Sequence, residues 1–501
     1  MKPSEDLFEI IKSMTKSEKR YFKIYSNLQS GNRKENMNYL KLFNEIERQA
    51  ENGNEYDESK IKEKFKKDNF IKQLTFTKNY LYNQIFKSMF NFYSDVSSDY
   101  ELGLNFFKTK YLYRKGLFEQ YFKSYKVLKD TALKYEKYGS YIDILKLERI
   151  IVKMKDYLKH KQIDYYEEEK QAIKKIENLT AYSKLTREIS NLYRTERYSM
   201  NAATHKKINE LKNHYLLSNE SAALTIQAKE YYWFLNAFLA RIENNIELNS
   251  EFNKKRLQIV ENHPDSFRDS IINIKQACLE NLIINAIYQK DFKTYKEVFD
   301  KLNSLKLNER EAEKNFKVTL KYIEFLNNRN VLDNNQLLNT IDDMFNLIAS
   351  NSKIFDRDFE LEFYYKSLVT LIELNEFERA LKFCNVILNH DINELRKDIL
   401  IKTRILNLLV HFELHNYELL KYLIKNTKYH LSKSREIDIS EKVFIQFLTR
   451  FISKKDNKSK KKVLSKFKND FELLKNPAKD ANISESFDYS AWISKKAEEY
   501  R

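Results

Sequence analysis

"IELNEFERALKFCNVILN", residues 372–389, places two apolar helical stripes on either side of a short polar pair, Asn375–Glu376, closed by Phe377. After the pair, Phe377, Ala380, Leu381, Cys384, Ile387 and Leu388 recur at three- and four-residue steps. Before it, Tyr364, Leu368, Leu371 and Ile372 do the same. That period is the mark of amphipathic helices, and so short a connection makes the two antiparallel neighbours.

The pattern recurs. "LLVHFELHNYELLKYLI" (408–424) is closed by Tyr417, "LIINAIYQKDFKTYKEVF" (282–299) by Phe292, and "TKYLYRKGLFEQYFKSY" (109–125) by Phe118. Phe377 and Tyr417 lie 40 residues apart. The 85 residues from Phe292 to Phe377 hold two such units, with a turn-like "VLDNNQ" (331–336) near the middle. The 174 residues from Phe118 to Phe292 hold four more, with polar interruptions expected at "KHKQID" (159–164), "NAATHKK" (201–207) and "IELNSE" (246–251). A final interruption falls at "KKDNKS" (454–459). The expectation is an all-α chain. Residues 101–470 form a right-handed α-solenoid of roughly eight or nine helical hairpins, with a repeat of about 40 residues. A helical domain precedes it over residues 1–100. Residues 471–501 close it as a cap or tail in which Phe487, Tyr489 and Trp492 dock.

On these residues the chain resembles the tetratricopeptide-repeat family in its looser, longer-helix form. The resemblance lies in the polar pair and the aromatic of the turn, followed by "ERALKF" with Ala380 where the family places a small residue for close helix packing. The other units depart from it, with Tyr121, Tyr295 or Leu420 at that position. The proline that often ends a family repeat is missing, and units longer than the usual 34 residues imply longer helices or loops. "TKSEKRYFKIYS" (15–26) is also similar to the starts of uncharacterised bacterial helical-repeat proteins. The resemblance implies a helical-hairpin fold and brings no particular ligand with it.

Composition excludes much. The 501 residues contain only five glycines, Gly31, Gly53, Gly103, Gly116 and Gly139, and none from Tyr141 onward. Phosphate-cradling and dinucleotide-binding turns need glycine for positive φ and close backbone approach. None of the five sits in such a pattern. Cys278 and Cys384 cannot build a disulfide framework, and each lies in an apolar helical stripe. "MKPSEDLFEII" lacks the apolar core of a signal peptide. The longest apolar stretch, "YYWFLNAFLARIE" (231–243), is cut by Asn236 and too short to span a bilayer. No membrane association and a cytoplasmic location are expected.

The net charge of +17 is unevenly spread. Residues 425–470 carry 14 Lys+Arg against 5 Asp+Glu, about half the excess of the whole chain. Lys454, Lys455, Lys458, Lys460, Lys461, Lys462, Lys466 and Lys468 form the densest run, a candidate contact for an anionic partner. Lysine lacks arginine's bidentate fork, so nucleic acid held here would be bound without sequence preference. The competing reading is the solvated face of a terminal repeat. Residues 1–100 hold 18 Lys+Arg against 15 Asp+Glu. Thr15 or Ser17 is placed to cap a helix, and Asp57 another. The run of short helices before a longer one over residues 77–93 suits a helix-turn-helix-like module or a plain helical cap.

No arrangement of residues invites catalysis. His411 and His415 are spaced i, i+4, but the intervening glutamate is not where the H-E-x-x-H pattern needs it. The carboxylates of "DYYEEE" (164–169) fan outward on a helix. The aromatic runs 111–128 and 231–239 read as core or as stacking platforms. The resulting expectation is a non-enzymatic scaffold or adaptor, without cofactor or metal, that binds a protein or peptide on the concave face of its stack. The alternative is a nucleic-acid-associated regulator acting through the N-terminal module or the lysines of 454–468. Phe118, Phe292, Phe377, Ala380 and Tyr417 are structural residues of the repeat turns.

Overall fold

A computed structural model describes residues 3–30, 38–51, 55–93, 97–151, 165–196, 202–307, 310–329, 333–349, 357–389, 397–433, 439–472 and 487–499. Among the described residues all regular structure is helical, in 24 α-helices and short 3-10 turns, with no strand. No helix of the described residues is long and apolar enough to cross a membrane.

The first five helices are α1 (Pro3–Ser13), α2 (Lys16–Ser30), α3 (Asn38–Glu51), α4 (Glu58–Lys64) and α5 (Leu74–Tyr93). Their starts are chemically specified. Thr15 Oγ1 accepts from Glu18 N–H at 3.2 Å while Glu18 accepts from Thr15 N–H at 2.5 Å, a reciprocal capping box. Asp57 caps α4 by accepting from Lys60 N–H at 3.1 Å. The stripes of these helices meet in one core that includes Leu7, Ile11, Phe22, Phe43, Ile46 and Leu81. α5 packs against α1, α2 and α3.

Six later connections share one turn. They join α6 (Ser98–Arg114) to α7 (Phe118–Lys134), α7 to α8 (Tyr138–Ile151), α12 (Ile226–Ile242) to α13 (Ile246–Asn262), and α14 (Ile271–Tyr288) to α15 (Phe292–Asn303). The last two join α18 (Arg357–Glu373) to α19 (Phe377–Asn389) and α20 (Lys397–Glu413) to α21 (Tyr417–Lys433). Each has one left-handed residue: Gly116 (φ 73°), Glu136 (54°), Asn244 (57°), Lys290 (55°), Asn375 (62°) and His415 (57°). Each closes with the same pair of backbone bonds. In the turn that opened the sequence analysis, Asn375 N–H donates to Ile372 C=O at 3.0 Å and Glu376 N–H to Leu371 C=O at 2.8 Å. This is the Schellman pattern, which satisfies carbonyls that a helix end leaves unpaired. The next helix then begins at Phe118, Tyr138, Ile246, Phe292, Phe377 or Tyr417.

Except for buried Tyr138, the aromatics at these starts are not the most buried part of the turn. Phe118 and Phe292 are 42% and 49% exposed, and Phe377 and Tyr417 are half-buried. The tight position comes three residues later, where Tyr121, Ala380 and Leu420 are buried. Tyr121 fits where a small residue was expected by reaching across to α8, its hydroxyl donating to Leu147 C=O at 3.2 Å.

Between α8 and α12 the rhythm is irregular. α9 (Tyr165–Glu196) runs unbroken for 32 residues and packs on α8 and α12, with the short α10 (Ala202–Lys212) and α11 (Tyr215–Ser218) between. "NAATHKK" is therefore no interruption from Ala202 on, because it forms the start of α10. "IELNSE" is the first part of α13, capped by Asn245, so the break lies just ahead of it. "KHKQID" lies outside the described residues. Beyond α15 follow α16 (Arg310–Asn328), α17 (Asn334–Ala349), α22 (Ile439–Ile452), α23 (Asn457–Glu472) and α24 (Tyr489–Glu499). From α12 to α15 and again from α16 to α24 each helix packs on its sequence neighbours, and α14 touches α16, α18 touches α20, and α20 touches α22. One continuous core runs from α16 to α24 and takes in Phe487, Trp492 and Ile493.

A polar clasp joins distant segments. Asp269 accepts from Ser98 N–H at 3.0 Å and from Lys137 at 3.1 Å, and Lys137 also pairs with Asp99 at 2.8 Å. Arg268 pairs with Glu101, which accepts from the Tyr135 hydroxyl at 2.9 Å.

Candidate functional site

α22 and α23 are antiparallel, joined through Ser453–Asp456. Asp456 accepts from Ser459 N–H at 2.7 Å and so starts α23, and the hydrogen bonds from Ser459 hold its carboxyl below the ordinary range. The helices meet through Phe447 and Phe467, whose rings stack at 4.4 Å with 20° between planes. Above these rings lies a cleft of about 290 Å³, with Val443 and Val463 completing its apolar floor. Arg450, Lys454, Lys462 and Lys466 rise around it, with Asp470 the one acid in the lining. All four cations are exposed, and none is ion-paired among the described residues. Such a site offers an apolar floor to a side chain and a ring of positive charge to the anions beside it.

The structure divides the lysine run that the sequence presents as one cluster. Lys454, Lys462 and Lys466 line the cleft. Lys455, Lys458 and Lys461 are exposed and do not line it, and Lys468 is half-buried. Lys460 turns the other way, its ammonium 5.4 Å from the Phe451 ring centre and 5.9 Å from that of Tyr417. Arg450 was missed because it lies outside the run. The signal was the four-residue step from Arg450 to Lys454, answered by Lys462 and Lys466.

Other candidates resolve into packing. His411 is buried, which pushes its imidazole below the usual value, and it accepts from the Asn416 amide at 3.2 Å. His415 sits at the left-handed turn position and bonds the Tyr417 hydroxyl at 2.8 Å. Among the described residues no group of three or more His, Cys, Asp or Glu could hold a metal. Glu168 of "DYYEEE" does converge with another carboxylate. Lys129 reaches Glu168 at 2.6 Å and buried Glu148 at 3.6 Å, while Tyr141 and Tyr125 donate to the two at 2.5 and 2.6 Å. The donors leave both carboxylates engaged in packing. Cys384 is fully buried, and burial pushes the Cys278 thiol up to about 11, so neither is poised for attack.

In residues 1–100, α5 carries two lysines. Lys78 is buried against Glu58, and Lys87 is exposed. The helix expected over 77–93 thus packs one face into its own bundle, and of its two lysines only Lys87 is without an ion pair among the described residues. No family model, curated protein or solved structure matches the chain.

Proposed function

We propose that the chain is a non-enzymatic scaffold or adaptor of the cytoplasm, built as a right-handed α-solenoid, that grips an acidic segment of a protein partner in the α22–α23 cleft. The six repeated turns and the neighbour-on-neighbour packing support the solenoid. The cleft carries the partner chemistry: four unpaired cations stand over a floor of Phe447, Phe467, Val443 and Val463. A peptide with carboxylates flanking a Leu or Phe satisfies both parts at once, and the concave surface of the stack would hold the chain on either side.

The test is fluorescence anisotropy with a labelled peptide of alternating Asp/Glu and Leu/Phe, against the whole protein and against Lys454→Glu/Lys462→Glu/Lys466→Glu. Exposed charge pairs contribute about 0.5 kcal/mol each, so reversal of three should weaken binding about tenfold or more. Equal affinity for the variant would remove the cleft from the proposal. A mixed-sequence oligonucleotide that binds more tightly than the peptide, with log Kd linear in log salt, would favour the nucleic-acid reading.

A further inference from the structure

A second surface lies at the other end of the chain. On α6, Tyr100, Leu104, Phe107 and Tyr111 recur at i, i+4, i+7 and i+11, and all four are exposed, Leu104 by 49% and Phe107 by 64%. Buried Leu102 and Thr109 face the opposite way, Thr109 meeting Ser124 of α7 at 2.7 Å. The end of α5 extends the strip, with exposed Phe86 and Phe90, and the Phe90 ring meets that of Tyr100 at 5.0 Å. On α6 the ridge is about 17 Å long. Gly103 lies beside it with open space where a Cβ would stand. Contiguous apolar surface of this extent marks an interaction site.

The charge beside the strip is one-sided. Lys108, Lys110 and Arg114 on α6, and Lys115 at its C-terminal cap, are exposed and lack ion-pair partners among the described residues. The acids at the start of α6 are already engaged, Asp99 with Lys137 and Glu101 with Arg268. We infer that the outer face of α6, continued by the end of α5, docks an acidic amphipathic helix of a protein partner.

The spacing is that of a helix-packing ridge, and the missing charge is negative. A second copy of the same face would bring like charges together. A single nucleic-acid strand needs free ring faces on which to stack, but here many are taken. Phe90 and Tyr100 meet edge to face, Phe107 and Tyr111 stack at 6.3 Å, and Lys115 lies 5.5 Å from the centre of Tyr111. The inference is independent of the α22–α23 cleft.

The experiment uses the full chain carrying Lys454→Glu/Lys462→Glu/Lys466→Glu, so that the cleft does not contribute. A labelled helix-forming peptide of about six turns presents Leu and Phe on one face and Glu elsewhere. A scrambled peptide of the same composition, a version with Lys for Glu, and a thymidine 20-mer serve as comparisons. Saturable binding is expected, at least tenfold tighter than either peptide control and than the oligonucleotide. Leu104→Glu/Phe107→Glu should abolish it with the melting temperature unchanged, because both side chains are exposed. Lys108→Glu/Lys110→Glu should reverse the preference between the Glu and Lys peptides. No saturation below about 1 mM, or binding indifferent to both variants, overturns the inference. So does tighter binding of the oligonucleotide. Concentration-dependent dimerisation abolished by Leu104→Glu/Phe107→Glu would also overturn it and assign the face to self-association.

Discussion

Glu136 holds the beginning of α12: its two carboxylate oxygens accept from the N–H groups of Ile226 and Gln227 at 2.8 and 2.7 Å. The Gln227 amide answers by donating to Tyr135 C=O at 3.3 Å and to Ser266 C=O at 2.8 Å. A residue at the left-handed position of one turn thus caps a helix some ninety residues later. Its anion lies where the helix dipole is positive.

Replacing Glu136 by Ala should cost about 1–2 kcal/mol, the usual effect of removing a cap. Amide hydrogen exchange in the first turn of α12 should accelerate more than exchange elsewhere. Glu136→Gly should be milder, because glycine relieves the left-handed backbone while losing the same cap. If Ala and Gly behaved alike, the backbone would bear no strain there.

Lys290 occupies the same turn position between α14 and α15, and its side chain is exposed. Lys290→Gly should stabilise the chain by about 0.5–1 kcal/mol by relieving the steric cost of positive φ. Lys290→Val should destabilise it by at least as much. Denaturant midpoints of the two variants should move in opposite directions.

α24 is fastened by a buried ion pair. Lys496 reaches Glu413 of α20 at 2.6 Å, their side chains 8% and 7% exposed, and the Trp492 indole N–H donates to Glu413 at 2.6 Å. Burial works against the Lys496 ammonium, but hydrogen bonds to Glu413 and Glu499 outweigh it and raise its pKa. The pair's contribution is therefore complete below the ordinary lysine value of 10.5 and lost as pH rises through the raised one. Lys496→Met should cost about 3–5 kcal/mol, because Glu413 is left buried with no countercharge. Adding Glu413→Leu should restore much of it. Limited proteolysis near residue 490 reports on both.

In the N-terminal bundle, hydrogen bonds from Lys62 and Lys78 hold the Glu58 carboxyl down at about 2. A depressed carboxyl contributes stability above its ordinary value of 4.5, and that contribution fades as pH falls towards about 2. Glu58→Gln should flatten the dependence of bundle stability on pH across that window and leave it unchanged in shape near neutrality. An acid titration followed by tyrosine fluorescence distinguishes the two proteins.

The hairpin turns at Phe118, Phe292, Phe377 and Tyr417 were legible because a polar pair interrupts two strong helical periods. That at Glu136 was not, and that at Asn244 was expected a few residues late, at 246–251. The Schellman bonds run between backbone groups, so the left-handed position accepts Glu, Asn, Lys or His and leaves no fixed side-chain signature. Counting aromatics also could not show that α9 would run unbroken for 32 residues. At the cleft, the lysine run marked α23, but pairing it with Arg450 and Phe447 of α22 required the tertiary packing. The exposed face of α6 was hidden by the same ambiguity. Rings at helical spacing read as core whether or not anything covers them.

The clasp of Ser98, Glu101 and Lys137 with Arg268 and Asp269 also decides how the molecule would respond to being stretched. Ser98 and Asp269 are 171 residues apart along the chain yet in direct contact. Tension entering at α6 and leaving at α14 would pass through a few side chains acting together, and the helices between would stay slack. Extension would then come in two stages, a short stiff one until the clasp parts and a long compliant one as the slack pays out.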